Sequence, residues 1–318
     1  SKFIVNGNLT NFSGTTLTGG TYNVAGTLQF NGANIVTNAA AIKLIGTSAT
    51  IIDQTAKNGL RGFATNSSTG QFTVTGSKSF SDGVAAFSNA GTLSVGKGSS
   101  FDLTGSTATY KQTGGTTTVD GTLTAKGGIT FSGGSVFGNG GTLAGNTTNS
   151  TSTGAFNVGD ALMTAGTESI TGTYKQGSTG VLNIDIGGTT AGTLFDQLTA
   201  SGAASLNGTL NLDLINSFVP KLGATFDILN ASSVAGTFPT VTGTSINSSE
   251  HFTVVYNSNN VTLDVVSGAA APLGWGRTGP TSATPEPTTL LLLGSGLLLT
   301  AQCARRRARG KGGPSPKD

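Results

Sequence analysis

Val181-Leu182-Asn183-Ile184-Asp185-Ile186 carries an apolar residue at every second position, and Thr209-Leu210-Asn211-Leu212-Asp213-Leu214 repeats the pattern. A period of two places Leu182, Ile184 and Ile186 on one face of an extended chain and the polar residues between them on the other. These runs therefore read as strands. Leu212, at the centre of the second, is predicted to face the interior and Asn211 to face outward. Phe72-Thr73-Val74-Thr75 and Phe252-Thr253-Val254 are shorter runs of the same kind. Thr, Val, Ile and Phe suit a half-buried pleated surface. Gly-Gly, Asn-Gly and Ser-Gly pairs punctuate the chain between such runs, as corners require. No stretch before residue 288 sustains an apolar i, i+3, i+4 pattern, so almost no helix is predicted there.

The strands belong to a repeat. Gly-Thr-Leu occurs at Gly26-Thr27-Leu28, Gly91-Thr92-Leu93, Gly121-Thr122-Leu123, Gly141-Thr142-Leu143, Gly192-Thr193-Leu194 and Gly208-Thr209-Leu210. Thr109-Tyr110-Lys111-Gln112 returns 64 residues later as Thr173-Tyr174-Lys175-Gln176, three units of about 21 residues, within the range of solenoid coils. One such coil cannot bury its apolar face. Coils stacked about 4.8 Å apart pair their backbone groups and enclose a narrow interior of Leu, Val, Ile and Phe. About 270 residues then predict about 12–13 coils in a rod on the order of 60 Å long. A β-sandwich is the alternative architecture, although its turn signals recur about every 8–12 residues.

Composition agrees. Of 318 residues 50 are Gly, and only 10% are charged against a typical ~25%. The formal charge of +3 belongs to the end of the chain. Arg305, Arg306, Arg307, Arg309, Lys311 and Lys317 stand there against Asp318, while the first 304 residues carry 11 basic and 13 acidic groups. A nearly neutral body without a basic stripe argues against nucleic acid as a partner. Cys303 is the one cysteine, so no disulfide framework and no cysteine-based zinc site is expected, and no cofactor is implied. Ser1-Lys2-Phe3-Ile4-Val5 shows no apolar leader, and a first residue other than Met marks a fragment or a processed form, so destination is not read from this end.

The stretch from Val158 to Val266 resembles the C-terminal part of autotransporter-type passenger solenoids. Ile170-Thr171-Gly172-Thr173-Tyr174-Lys175-Gln176 is similar to their recurring Ile-Thr-Gly-x-Tyr-x-Gln segment, and the stretch from Ile186 to Leu198 to the segment that follows it, with Phe195 where Tyr is usual. The resemblance implies a right-handed parallel β-helix over residues 1–268 and no active site.

Beyond that point the sequence changes regime. Pro272, Pro280 and the glycines Gly274, Gly276 and Gly279 make residues 269–284 a linker. Pro285-Glu286-Pro287 follows, then an apolar run containing Leu290, Leu291, Leu292, Leu293, Leu297, Leu298 and Leu299, then Arg305, Arg306, Arg307 and Arg309. The run predicts one hydrophobic helix at the lower edge of a bilayer span of about 17–25 residues. The Arg cluster would hold its inner end in the cytoplasm. Residues 310–318 read as a disordered tail. The order of residues 285–309 resembles the PEP-CTERM sorting signal of Gram-negative bacteria. That resemblance implies an inner-membrane-anchored precursor, processing by an exosortase at the Pro-Glu-Pro triplet, and delivery to the cell surface or extracellular matrix, with exopolysaccharide as a candidate partner. A plain tail anchor is the alternative.

Catalytic candidates are few. Asp185, Asp196, Asp213 and Asp227 form the densest acidic set. Asp185 and Asp213 alternate out of apolar strands and are predicted to face solvent, while Asp196 is predicted to cap a turn. His251 has no evident partner. Thr pairs two residues apart, such as Thr73/Thr75, Thr107/Thr109, Thr116/Thr118 and Thr122/Thr124, would bind ice or a crystalline glycan if aligned outward over several coils. The expected function is that of an exported, non-enzymatic structural or adhesive protein of the surface or biofilm matrix. A polysaccharide-acting enzyme and a glycan- or ice-binding solenoid are the alternatives.

Overall fold

The computed structural model describes residues 1–268, an all-β body without a helix among them. Its strands form three faces. Thr109–Gln112, Thr116–Val119 and Thr122–Ala125 are successive strands of one coil, one on each face. Thr109–Gln112 pairs in parallel with Ala86–Asn89 in the preceding coil and with Gly128–Phe131 in the next. The second and third faces repeat the arrangement. Each face is ten rungs deep, a stack of about 45 Å at the usual spacing of rungs. That is fewer than the predicted 12–13 coils, because the coils lengthen. Thr122 stacks on Thr142, a step of 20 residues, but Thr167 stacks on Gln197 and Leu198 on Leu229, steps of 30 and 31.

The parallel stack ends in antiparallel strands. Asn260–Ser267 pairs antiparallel with Thr225–Asn230, and Glu250–Tyr256 pairs with it in turn. At the other end Phe12–Ser13 folds antiparallel over the start of Thr16–Val24. Such turns of direction cover strand edges that would otherwise offer a template to another chain. On the third face the first three rungs form a separate sheet. Residues 53–62 follow its last strand, Thr50–Ile52, and are fixed by the described body's one ion pair, Arg61 to Asp53 at 3.6 Å.

The interior explains the sequence echoes. Leu182, Ile184, Leu210 and Leu212 are buried, as alternation predicts, and Tyr110 and Tyr174 lie fully inside. The 64-residue echo spans three rungs of the first face, from Thr109–Gln112 to Tyr174–Gln176. Its glutamines end their strands where the chain turns from first face to second. In the earlier rungs Asn38, Asn66 and Asn89 occupy that corner and form a ladder, with Asn38 Nδ2 donating to Asn66 Oδ1 (2.9 Å) and Asn66 Nδ2 to Asn89 Oδ1 (2.8 Å). Gln112 Nε2 serves the Gly133 carbonyl at 2.9 Å, and Gln176 Nε2 the Thr209 carbonyl at 2.8 Å. Buried corner carbonyls need such donors because no strand partner reaches them.

Gly-Thr-Leu marks close approach between rungs and not one fixed place in the coil. Gly91 and Gly208 precede second-face strands, Gly26 and Gly121 precede third-face strands, and Gly141 opens one. A Cβ at Gly91, Gly121 or Gly141 would lie about 2 Å from a backbone oxygen of the rung beneath: Gly70 O (2.1 Å), Ser99 O (2.2 Å) or Val119 O (1.9 Å). The 30-residue offset from Gly91 to Gly121 is therefore one coil plus one corner.

Candidate functional site: the corner between the second and third faces

In the later coils the lengthening is concentrated at one corner, whereas residues 53–64 of an early coil form an excursion between third face and first. From Val119 to Thr122 the turn from second to third face takes two residues, and from Phe137 to Gly141 three. In the next three rungs it takes residues 158–166, 187–196 and 215–224, excursions of nine, ten and ten residues. Insertions confined to one side of a repeat stack are where such folds carry contacts. Three of the five non-glycine residues with positive φ lie in these excursions, Met163 (65°), Asn216 (55°) and Ser217 (55°). Backbone of this kind persists only where its surroundings hold it.

Carboxyl groups line the base of the corner. Asp120 and Asp160 stand two coils apart on this corner, with Asn139 in the coil between them. Asn139 bridges them, its N–H donating to Asp120 Oδ1 and its Nδ2 to Asp160 Oδ2, each at 3.3 Å. Burial, the hydrogen bond to Asp160 and the Asp160 charge push Asp120 up to about 6, against the opposing Asn139 N–H. Behind them Glu168 is 2% exposed, and neither of its oxygens has a hydrogen bond of good geometry. It occupies a niche that two glycines leave open, since a Cβ at Gly138 would meet Glu168 Oε2 at 2.2 Å and one at Gly141 at 3.1 Å. Burial holds Glu168 well above the usual carboxylate range, and the Asp120 charge adds to it, with only the Gly141 N–H opposing.

One rung further, Asp196 ties two excursions together. Its Oδ1 accepts from the Gly166 N–H (2.7 Å) and its Oδ2 from the Asp185 N–H (2.8 Å). Asp196 thus holds backbone, taking the Asp185 amide from its own coil and the Gly166 amide from the preceding one. Burial still raises it to about 8, against those two N–H donors. Asp185 departs from expectation. It alternates outward from the apolar interior, yet it is buried, because residues 160–166 fold over it and the Thr164 and Met163 N–H groups turn toward its carboxylate. Periodicity assigns a side chain to a face and is silent about an excursion that covers that face. Asp213 is half-buried, receiving Asn211 Nδ2 at 3.0 Å, and Asp227 lies on Thr225–Asn230 beyond the last excursion.

Above this base the excursions expose aliphatic side chains. Leu162 and Met163 stand on the first, Leu194 on the second, and Val219 and Leu222 on the third. These are five of the seven large apolar residues exposed on the described body; Phe3 and Ile4, at its opposite end, are the others. The second excursion packs on the third, since a Cβ at Gly187 would meet Ile215 Cγ1 at 2.7 Å, and on the strand that follows the first, since one at Gly192 would meet Thr167 Cγ2 at 2.4 Å. Sequence reasoning identified Asp185, Asp196 and Asp213 but missed Asp120, Asp160 and Glu168, which are separated along the chain and meet through stacking.

The remaining candidates do not assemble. His251 Nδ1 hydrogen-bonds the Gly268 carbonyl at 2.9 Å, away from any carboxylate named above. The threonines form no unbroken array. Thr73 stacks on Ser94 and then Thr118, but Lys43 precedes them and Phe137 follows, while Thr117 is buried. Among the described residues no three acidic, His or Cys side chains converge as a metal-holding set.

Pro285, Glu286, Pro287, the leucine run, the Arg cluster, the linker and the tail lie outside the described residues. For that part of the chain sequence comparison is informative. Residues 283–307 match the PEP-CTERM protein-sorting motif. No curated protein matches the chain. The motif marks an exported protein that passes through a membrane-anchored precursor and is processed by an exosortase.

Proposed function

We propose that the protein is a structural or adhesive component of the bacterial cell surface or exopolysaccharide matrix, released from its anchor by exosortase cleavage near Pro285-Glu286-Pro287. The sorting motif at residues 283–307 is the observation that carries this reading. The body suits it physically. Each coil binds its neighbours by repeated parallel pairing, which gives a stiff display platform without disulfides, and a right-handed winding is proposed for it. The corner of three excursions is proposed as its contacting face, because it joins exposed aliphatic side chains to a polar base. A non-catalytic role is proposed for its carboxyl groups, in keeping with Asp196, whose two oxygens are taken up by the backbone amides of Gly166 and Asp185.

The tail mechanism follows from charge and length. Four Arg side chains resist translocation, each costing roughly 2.5–3.5 kcal/mol at the centre of a bilayer. The precursor therefore stalls with the Pro-Glu-Pro triplet toward the outer side of the inner membrane, within reach of a processing enzyme. Mass spectrometry of the surface-exposed form, in a host with an active exosortase, is expected to find a C-terminus near Pro285. Recovery of intact Arg305 to Asp318 on that form would overturn the sorting mechanism and leave a plain anchor.

A further inference from the structure

Packing of the interior accounts for the Tyr and Gln of the Thr-Tyr-Lys-Gln echo but not for its Lys. In both copies Tyr and Gln are buried, whereas Lys111 and Lys175 are exposed on the outer side of the first face. They stand in one column: Ser88, Lys111, Thr130, Thr148, Lys175 and Ser205 succeed one another in register from rung to rung. Three rungs separate the two lysines, about 14 Å at the usual spacing. No strand of the first face carries an acidic residue, and these lysines are the charged residues of its strands. The described body's one ion pair lies elsewhere, so neither lysine has an acidic partner within that body. Asp120, Asp160, Glu168, Asp185 and Asp196 gather instead across the coil, at the corner between second and third faces. The first face is therefore the side that attracts an anion, and the corner the side that repels one.

A groove of about 380 Å³ runs beside Lys175, within the size range of small-ligand sites. Thr148, Lys175, Ser178, Thr179, Ser205 and Asn207 are among the residues that line it, and none of the lining residues is acidic. Thr179 Oγ1 donates to the Ser150 carbonyl at 2.8 Å and fixes one wall. Asn207 Oδ1 accepts from the Gly208 N–H at 2.8 Å, which leaves its two amide donors for a ligand. Lysines this sparse discriminate among polyanions. A nucleic-acid strand bears a charge about every 3.4 Å and would set about four phosphates against two ammonium groups. An anionic bilayer calls for clusters of about 4–8 basic residues. A polysaccharide with widely spaced carboxylates sets one charge against each lysine, and its hydroxyls against the Thr and Ser side chains between.

We propose that the first face is a binding strip for an acidic polysaccharide. Lys111 and Lys175 each meet a carboxylate, Thr130 and Thr148 meet sugar hydroxyls between them, and the groove beside Lys175 seats one sugar unit. The strip rests on the surface-or-matrix reading above, and gives the glycan of that reading a charge and a place apart from the corner. A single exposed ion pair contributes little, so the affinity comes from one chain engaging both lysines.

The test is affinity electrophoresis of the full chain in detergent, through gels containing alginate, a polymer of uronic acids, or neutral dextran. Every sample carries Arg305→Gln, Arg306→Gln, Arg307→Gln and Arg309→Gln, so that the tail does not itself bind the anion. Alginate is expected to retard the protein, less so as salt is added, and dextran is not. Lys111→Gln with Lys175→Gln is expected to weaken apparent binding about fivefold or more. Lys97→Gln with Lys221→Gln removes the same charge from exposed sites off this face and is expected to weaken it less than about twofold. Ser205→Phe keeps every charge but fills the groove, and is expected to weaken alginate binding at an unchanged melting temperature. Equal losses in the two lysine pairs, dextran retarding as strongly as alginate, or full binding by Ser205→Phe would overturn the strip. No retardation by alginate, in a protein that still attaches to exopolysaccharide-coated surfaces, would overturn the strip and leave the surface reading standing. Loss of both would remove that reading as well.

Discussion

At Gly141 any side chain would place its Cβ 1.9 Å from the Val119 carbonyl oxygen of the rung beneath, whereas a Cβ at Gly7 would meet nothing within 4 Å. Gly141→Ala should therefore lower stability by about 1–3 kcal/mol, the usual cost of overpacking, and Gly7→Ala should change little. Thermal melting of the two variants checks this. Leu212 and Asn211 offer a second contrast. Leu212 is 2% exposed, while Asn211 is half-buried and bonded to Asp213 and Thr242. Leu212→Asp should cost several kcal/mol by placing a carboxylate in a dry interior, where a neutral polar group costs about 2–7 kcal/mol and a charge more. Asn211→Asp should cost far less, although the Asp213 carboxylate beside it adds some repulsion. Equal melting shifts would mean that the faces are misassigned. In the asparagine ladder, Asn66 donates to Asn89 and to the Gly70 and Thr92 carbonyls. Asn66→Ala removes these donors and the acceptor of Asn38 Nδ2 from the buried ladder, and a loss of about 1–3 kcal/mol is expected in denaturant unfolding.

The distinctive elements are the three excursions. Their tips touch solvent, so Leu162→Ser and Met163→Ser together should shift stability by no more than about 0.5 kcal/mol per site. If the corner is the contacting face, the same double variant should lose attachment to exopolysaccharide-coated surfaces while its melting temperature stays unchanged. Retained attachment would move the contact elsewhere on the body. The excursions also show why a regular repeat resists simple counting. A coil needs only enough residues to close three faces, and its corners accept insertions without disturbing the pairing that holds it.

For the molecule as a whole, titration follows from the buried acids. Burial raises Asp120 to about 6 and Asp196 to about 8, and raises Asp185 and Glu168 as well. The unfolded chain releases these protons near pH 4. Between about pH 4 and 8 the folded state thus holds more protons than the unfolded one, and stability falls as pH rises through that window. The melting temperature is expected to be higher at pH 5 than at pH 8, with a smaller difference in Asp196→Asn. A melting temperature that rises toward pH 8 would show that these groups are more hydrated than their packing implies.

Much of this was legible in the order of residues. Period-two alternation from Val181 to Ile186 and from Thr209 to Leu214 determined strands and their buried faces, because the pleat turns successive side chains to opposite sides. The Gly-Thr-Leu recurrence and the Tyr-Lys-Gln echo determined stacking, and the triplet, apolar run and Arg cluster determined the sorting signal, since each is a local pattern with a local physical cause. Tertiary structure alone decided the number of rungs, the burial of Asp185 and the meeting of Asp120, Asp160 and Glu168. Those depend on where a coil's length is spent. An excursion at one corner changes what covers a side chain and which distant carboxyl groups become neighbours across the stack, and neither follows from the periodicity of any single strand.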